Sequence, residues 1–304
     1  MTSGAIDHDR LIHKIGRPVT RFLLSPRLRR IPLARSLYAW MYLLGKILAE
    51  RRERRFLRQR VEPGMVVFDV GANIGFYTTF LAGLVGPAGH VHAFEPDPVC
   101  FDILRRRTAC RPNVDVTQAA AGDRPGRMTL FCNRLNRADN RVYAHQGNLP
   151  LESVDVPAIT LDDYCEARGV DRIDAVKMDV QGAEVAVLAG FRQTLLRVRP
   201  RWMVLEFAPE LLTGAGSSPE AFWEILAELG FEPYSIEPDG RTLPITDTKE
   251  FTRRYEQGYT DVWARPDRRR PTGRASARGS LGSQRSAHLK GERNHPLERQ
   301  QESP

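Results

Sequence analysis

Long apolar runs are missing from this chain. The most apolar stretch, Leu37 to Ala49 (LYAWMYLLGKILA), has 13 residues and contains Lys46. A spanning helix needs roughly 20 apolar residues, so no membrane-crossing segment is expected. Cysteine is scarce: the four are Cys100, Cys110, Cys132 and Cys165, and none pair in the C-x-x-C spacing of zinc ligands. They read as ordinary packed or surface thiols. No secretory leader is visible, and an acidic, enzyme-like middle suits a reducing compartment, so a cytoplasmic setting is expected. Internal repeats are also missing. Residues 266–304 lack large apolar side chains almost entirely and are rich in Arg, Ser, Gly and Pro. Such a segment cannot bury enough surface to offset its ordering entropy and is expected to be disordered.

Against these absences stands an ordinary globular composition, 41% apolar and 27% charged, enough for a sizeable core. The charge is uneven. Residues 1–60 hold 15 Lys and Arg against 4 Asp and Glu, residues 61–265 hold 21 against 29, and residues 266–304 hold 9 against 4. The basic character belongs to the two ends, which divides the chain into a basic helical arm (1–60), a central domain (61–265) and a basic tail (266–304). An acidic middle argues against nucleic acid as partner, because a domain that grips phosphates carries basic charge around its own cleft. Solvated arms are the plain reading of the flanks. The segment Leu37–Arg55 joins Trp40 and Tyr42 to a following cluster of arginines. It reads as a helix packed on the main domain or a second subunit, or as an interfacial helix making peripheral contact with an anionic membrane.

From Val61 the pattern becomes strand and helix in alternation. Strands are expected at Val66–Val70, His90–Phe94, Val114–Ala119, Asp174–Asp179, Trp202–Glu206, Phe231–Ile236 and Asp261–Ala264. Helices are expected at Gly75–Val85, Pro98–Arg107, Gly182–Leu196 and Pro219–Leu229. Arg127–Phe131 and Val154–Ile159 form a paired excursion. This order implies an α/β domain with a mostly parallel sheet covered by helices on both faces.

The densest chemical signal is Phe68–Thr78 (FDVGANIGFYT). A buried strand ends in Asp69-Val70, a turn follows, and a helix begins. Gly71 and Gly75 let backbone approach a ligand, and the helix start presents free N–H groups. Ligands of open α/β sheets bind at this edge. The dinucleotide fingerprint G-x-G-x-x-G needs a second glycine where this chain has Asn73, and a third where it has Phe76. A diphosphate is poorly served, which argues against a nicotinamide-dependent oxidoreductase. Asp69 would repel phosphate but welcome the cationic groups of S-adenosylmethionine; the plain alternative is an Asp that only caps the turn. Glu95, in HAFEPD, ends the second strand twenty residues after Gly75, where a carboxylate accepts both ribose hydroxyls of an adenosine. Ala119–Ala121 are small enough to flank an adenine. Asp123, or a backbone group near Ala120, meets its exocyclic amine in that reading; a simple turn explains the segment equally well. Asp179, Glu184 and Glu206 fall at the tips of the fourth and fifth strands or just after, and can ring an acceptor pocket. For Glu184, a carboxylate that suits the helix dipole is the plain alternative.

These segments together resemble the FkbM-type methyltransferases, a branch of the Rossmann-like S-adenosylmethionine-dependent enzymes. Phe68–Thr78, Ala93–Asp97 (AFEPD), Ile159–Tyr164 (ITLDDY), Asp174–Gly190 (DAVKMDVQGAEVAVLAG) and Trp202–Phe207 (WMVLEF) occur in family order. The family usually has Glu where this chain has Gln181, which bears on the acceptor. The resemblance implies a three-layer sandwich with a mostly parallel seven-stranded sheet. It implies methyl transfer to a hydroxyl of a sugar, glycolipid or secondary metabolite such as a polyketide alcohol. The expected mechanism is direct in-line displacement, with positioning as its main contribution and Asp179 as the group that orients the hydroxyl or takes its proton. A metal held by Asp179 and Glu206 would lack a supporting histidine cluster, so no metal is expected. The non-enzymatic rival is a silent scaffold that binds a partner through its basic arms; it has no need of Asp69 and Glu95.

Overall fold

A strand sends successive side chains to opposite faces, and a sheet covered on both sides needs both sets apolar. The computed structural model, which describes residues 51–133, 137–143, 151–237 and 239–267, shows the consequence. Its strands are β1 (Val66–Val70), β2 (His90–Phe94), β3 (Val114–Thr117), β4 (Ala120–Ala121), β5 (Gly126–Asn133), β6 (Leu151–Ile159), β7 (Ala175–Met178), β8 (Trp202–Phe207), β9 (Phe231–Ile236), β10 (Thr242–Pro244) and β11 (Thr260–Pro266). Val67, Val91, Ala175, Trp202, Val204 and Trp263 fill one buried layer. Phe68, Val70, Phe94, Val176, Met178, Met203, Leu205 and Phe207 fill the other.

The main sheet runs β10-β9-β11-β8-β7-β1-β2-β3. The five strands from β8 to β3 are parallel, and β11 lies antiparallel between β8 and β9. The expected seven strands are therefore eight. The extra strand, β10, is three residues long at the sheet edge with Leu243 half exposed, so it carries no alternating apolar pattern. The paired excursion is a separate sheet, β4-β6-β5.

The helices of one layer are α1 (Arg51–Arg60), α2 (Phe76–Val85) and α3 (Pro98–Thr108). The other layer holds α4 (Leu161–Arg168), α5 (Glu184–Ala189), α6 (Arg192–Val198), α7 (Pro209–Gly214), α8 (Pro219–Glu228) and α9 (Thr248–Arg254). Their starts follow from side chains that satisfy orphan N–H groups. Asp97 accepts from Val99 N and precedes Pro98 at the first helical position of α3; Thr160, Ser218 and Asp247 do the same for α4, α8 and α9. The ITLDDY segment earns its shape twice: Thr160 caps α4, while Asp162 accepts from Gln193 N and Thr194 N and so caps α6.

One boundary differs from expectation. The helix expected over Gly182–Leu196 is two, because Gly190 brings its backbone against Gly122; a Cβ there would lie 2.0 Å from the Gly122 carbonyl oxygen. Helix α1, at the end of the basic arm, packs on the domain, one of the readings given for the segment that ends at Arg55. Phe56 and Leu57 are fully buried, the Arg54 guanidinium lies 4.7 Å from the Phe80 ring centroid, and Glu53 accepts from the Tyr77 hydroxyl. Leu37–Ala49 and residues 268–304 lie outside the described residues. No helix among the described residues is long and apolar enough to cross a membrane.

The glycines give a paired stability test. Gly190→Ala is expected to cost about 1–3 kcal/mol through the backbone clash. Gly83→Ala, mid-helix in α2 with nothing within 4 Å of the new methyl, is expected to gain about 0.5–1 kcal/mol. Urea denaturation of both variants reads the difference in sign.

Candidate active site

The chain builds β1, β2 and β3 outward on one side, then returns to place β7 and β8 on the other. The crevice between β1 and β7 is the reversal point where open sheets bind ligands. A cavity of about 830 Å³, counting its open mouth, lies there. Its walls include Gly71, Ala72, Asn73, Tyr77, Glu95, Ala119, Ala120, Ala121, Arg137, Asn140, Lys177, Asp179 and Gln181.

Three residues of the turn between β1 and α2 take positive φ: Gly71 (83°), Asn73 (50°) and Gly75 (79°). Gly71 has a second reason to be glycine, since a Cβ would stand 1.9 Å from the Asp179 carbonyl oxygen. The turn is pinned to β2 by Gly71 N and Ala72 N, which both donate to the Phe94 carbonyl. Asn73 N then donates to Glu95 Oε2 at 2.7 Å, and Asp97 N donates to Glu95 Oε1 at 2.8 Å. Glu95 is buried, and burial pushes its carboxyl up to about 8, against the lowering effect of those two N–H groups. Each oxygen keeps acceptor capacity toward the cavity.

Asp97, fully buried, organises the cavity's outer wall. Besides capping α3, its Oδ2 accepts from Arg137 Nη1 at 2.5 Å and Asn140 Nδ2 at 2.6 Å. Burial works to raise its pKa, but the hydrogen bonds from Arg137, Val99 N and Asn140 outweigh that and hold it below the usual carboxylate range. Asn73 Nδ2 donates to the Arg137 carbonyl, so the glycine turn and the excursion are tied together across the mouth.

At the other end, Asp179 and Lys177 alternate on one face. Lys177 is buried, with Nζ 3.7 Å from Asp179 Oδ2 and 4.5 Å from the Tyr77 ring centroid. Burial would lower its pKa, but Asp179, Glu53, Asp69 and Asp261 together hold it above the ordinary value. Gln181 Nε2 donates to both Asp179 Oδ1 (2.9 Å) and Glu206 Oε2 (2.8 Å). Burial, then Asp179 and Glu184, push Glu206 well up. Burial also raises Glu184 to about 8.

Of the residues expected from sequence, Gly71, Asn73, Glu95, Ala120 and Asp179 line the cavity, and five do not. Asp69 shares a face with Val67 and turns behind the wall, where Thr78 Oγ1 donates to it at 2.6 Å. Gly75 packs against Leu104 of α3. Asp123 is exposed beside Arg124, because the chain leaves β4 toward the surface. Glu184 turns inward to accept from Val180 N, and Glu206 reaches the cavity only through Gln181. Sequence reasoning gave no role to Lys177, Tyr77, Arg137 or Asn140. Lys177 was legible, standing two residues before Asp179 on a strand; Arg137 and Asn140 come from an irregular excursion with no pattern to read.

The donor set fits an adenosine-type ligand with a cationic end. Glu95 offers acceptors for a vicinal diol, Ala119–Ala121 make a flat apolar wall, and Asp179 offers negative charge at the far side. The fold and cavity thus define an open α/β domain with a ligand crevice where its strand order reverses. Comparison with known proteins is more specific: the description "Methyltransferase FkbM domain" matches residues 69–233, more than half of the chain. The chain belongs to the FkbM methyltransferase family. It is 36% identical over 169 residues to the 31-O-demethyl-FK506 methyltransferase FkbM of Streptomyces tacrolimicus, covering 45% of this chain and 64% of the relative. It is 29% identical over 151 residues to the 2-O-methyltransferase NoeI of Sinorhizobium fredii (45% and 62%). It is 25% identical over 175 residues to the hexuronic acid methyltransferase AglP of Haloferax volcanii (57% and 66%). The matches span less than two thirds of each relative's length.

Asp97→Ala removes a cap and the anchor of Arg137 together, and is expected to cost about 2–4 kcal/mol. Glu228→Ala breaks the exposed pair with Arg192 and is expected to cost about 0–1 kcal/mol. Chemical denaturation compares them, and hydrogen exchange at residues 137–141 should rise in the Asp97 variant alone.

Proposed function

We propose that this protein transfers a methyl group from S-adenosylmethionine to a hydroxyl of a sugar, glycolipid or secondary metabolite. The observation that carries the reading is the Glu95 carboxylate, clamped by Asn73 N and Asp97 N at the edge of the cavity. A carboxylate so fixed suits two adjacent hydroxyls of a ribose, and the missing glycine at Asn73 disfavours a diphosphate. Support for an oxygen acceptor comes from the relatives, two of which are named for O-linked methyl positions and one for a hexuronic acid.

The cofactor supplies an electrophilic methyl group when bound. Glu95 holds the ribose, Ala119–Ala121 flank the base, and Asp179 faces the cationic end. Asp69 acts from behind the wall: by holding Thr78 it fixes the start of α2 against the turn. The acceptor hydroxyl is oriented by Asp179, which takes its proton as the oxygen is methylated. Lys177 supplies the counter-charge that keeps Asp179 in place, and Gln181 fixes its other oxygen. Burial raises the Glu206 carboxyl well above its ordinary value, and Gln181 ties it to Asp179.

Asp179→Asn is expected to lower kcat about 10²–10⁴-fold and to leave cofactor affinity within a few-fold; steady-state kinetics and isothermal titration separate the two. Wild-type turnover in that variant would remove Asp179 from the role. Ribose hydroxyls favour ionised Glu95, so binding releases a proton. Affinity should therefore rise with pH until about 8, where free Glu95 ionises, by at most about tenfold per pH unit. Titration between pH 6 and 9 reads this slope, which Glu95→Gln should flatten while weakening binding about 10–100-fold.

A further inference from the structure

Strand β2 carries histidines at positions 90 and 92, two residues apart and so on one face. Asp115 of β3 is the register partner of His92 and presents its side chain on that face. We propose that His90, His92 and Asp115 form a binding site for a late first-row divalent metal ion of the zinc type, away from the cavity.

Geometry carries the assignment. His90 Nε2 lies 3.1 Å from Asp115 Oδ2, His92 Nδ1 lies 3.8 Å from the same oxygen, and all three atoms fall within 4.8 Å of one another. Bonds of about 2.0–2.2 Å at tetrahedral angles put ligand atoms roughly 3.3–3.6 Å apart, so the two contacts to Asp115 are near bonding separation and the widest pair closes by at most about 1.5 Å. His90 Nε2 is buried and makes no hydrogen bond despite its closeness to Asp115, which leaves it available as a ligand atom. Two imidazoles and one carboxylate, with a fourth position left to water, suit zinc, cobalt, nickel or copper rather than calcium or magnesium.

The surroundings agree. The Tyr164 hydroxyl sits 3.0 Å from His92 Nδ1. A metal displaces it from that nitrogen, and Thr117 offers it another partner. Arg168 lies over the Tyr164 ring and adds positive charge, which the Asp115 carboxylate offsets. His90 and Asp115 are 31% and 46% exposed at their side chains, so an ion reaches them from solvent. Glu95 is three residues beyond His92, the nearer ligand, about 10 Å along the strand at an extended rise. The ion therefore touches no group that lines the cavity. Its effect is to cross-tie β2 and β3 at the sheet edge.

The test uses the full chain after chelator treatment, titrated with Co(II) and then Zn(II). One equivalent of Co(II) is expected to develop the visible absorption of a tetrahedral centre, and Zn(II) to displace it. Zn(II) should raise Tm. His90→Ala and the milder Asp115→Asn should weaken Co(II) uptake by more than about tenfold and abolish the Tm shift, while leaving nucleoside binding in the cavity unchanged. The chain has seven histidines, so uptake that persists in both folded variants belongs elsewhere and overturns the proposal. So does a wild-type chain that takes up no Co(II).

Discussion

The cavity depends on one small arrangement: two backbone N–H groups, from Asn73 and Asp97, holding both oxygens of Glu95. Everything near it is arranged around that clamp. Asn73 can donate only because the turn passes through left-handed backbone at Gly71 and Asn73. The turn keeps that shape because Gly71 N and Ala72 N are spent on the Phe94 carbonyl. Asp97 completes the clamp through its backbone and anchors Arg137 and Asn140 through its side chain. One strand end thereby sets the floor, the rim and the outer wall of the cavity.

Buried carboxyl groups stand at both ends of the cavity, at some cost to the fold. Glu95, Glu184 and Glu206 are carboxylic acids whose burial raises their pKa values. A raised acid favours the protonated form in the folded state, so its contribution is present below the usual glutamate range and is lost as pH rises through the folded value, about 8 for Glu95 and Glu184. The fold tolerates these groups because they are individually satisfied: Glu184 by Val180 N, Glu206 by Gln181, and the Lys177 ammonium by Asp179 and the Tyr77 ring. Strained backbone concentrates here too, with Gln181 at φ 53° and Gly182 at 102°. Such concentration of costly features is typical of functional sites.

Much of this was legible in the sequence, for physical reasons. Apolar strands buried on both faces read as continuous runs, so β1, β2, β7 and β8 emerge within a residue or two, and the strand–turn–helix order places the cavity. Glu95 is legible because it ends a strand opposite the glycine turn. Less legible is where a side chain points when the backbone bends. Alternation turns Asp69 behind the wall, and Glu184 folds back on its own loop. The break at Gly190 depends on a backbone contact with Gly122, far away in sequence. The pairing of His90 and His92 with Asp115 needed the register of β3, although the H-V-H spacing alone marks two imidazoles on one face. Arg137 and Asn140 lie in an excursion held by Asp97, a tertiary contact with no local signature.

The central claim is that Glu95 and its two N–H donors receive the ribose of an adenosine-type cofactor. A crystal structure with S-adenosylhomocysteine bound tests it directly. The account predicts both ribose hydroxyls on the Glu95 oxygens, the adenine against Ala119–Ala121 and the sulfur on the Asp179 side of the cavity. A nucleoside bound elsewhere, or a Glu95 carboxylate that makes no contact with it, would contradict the account.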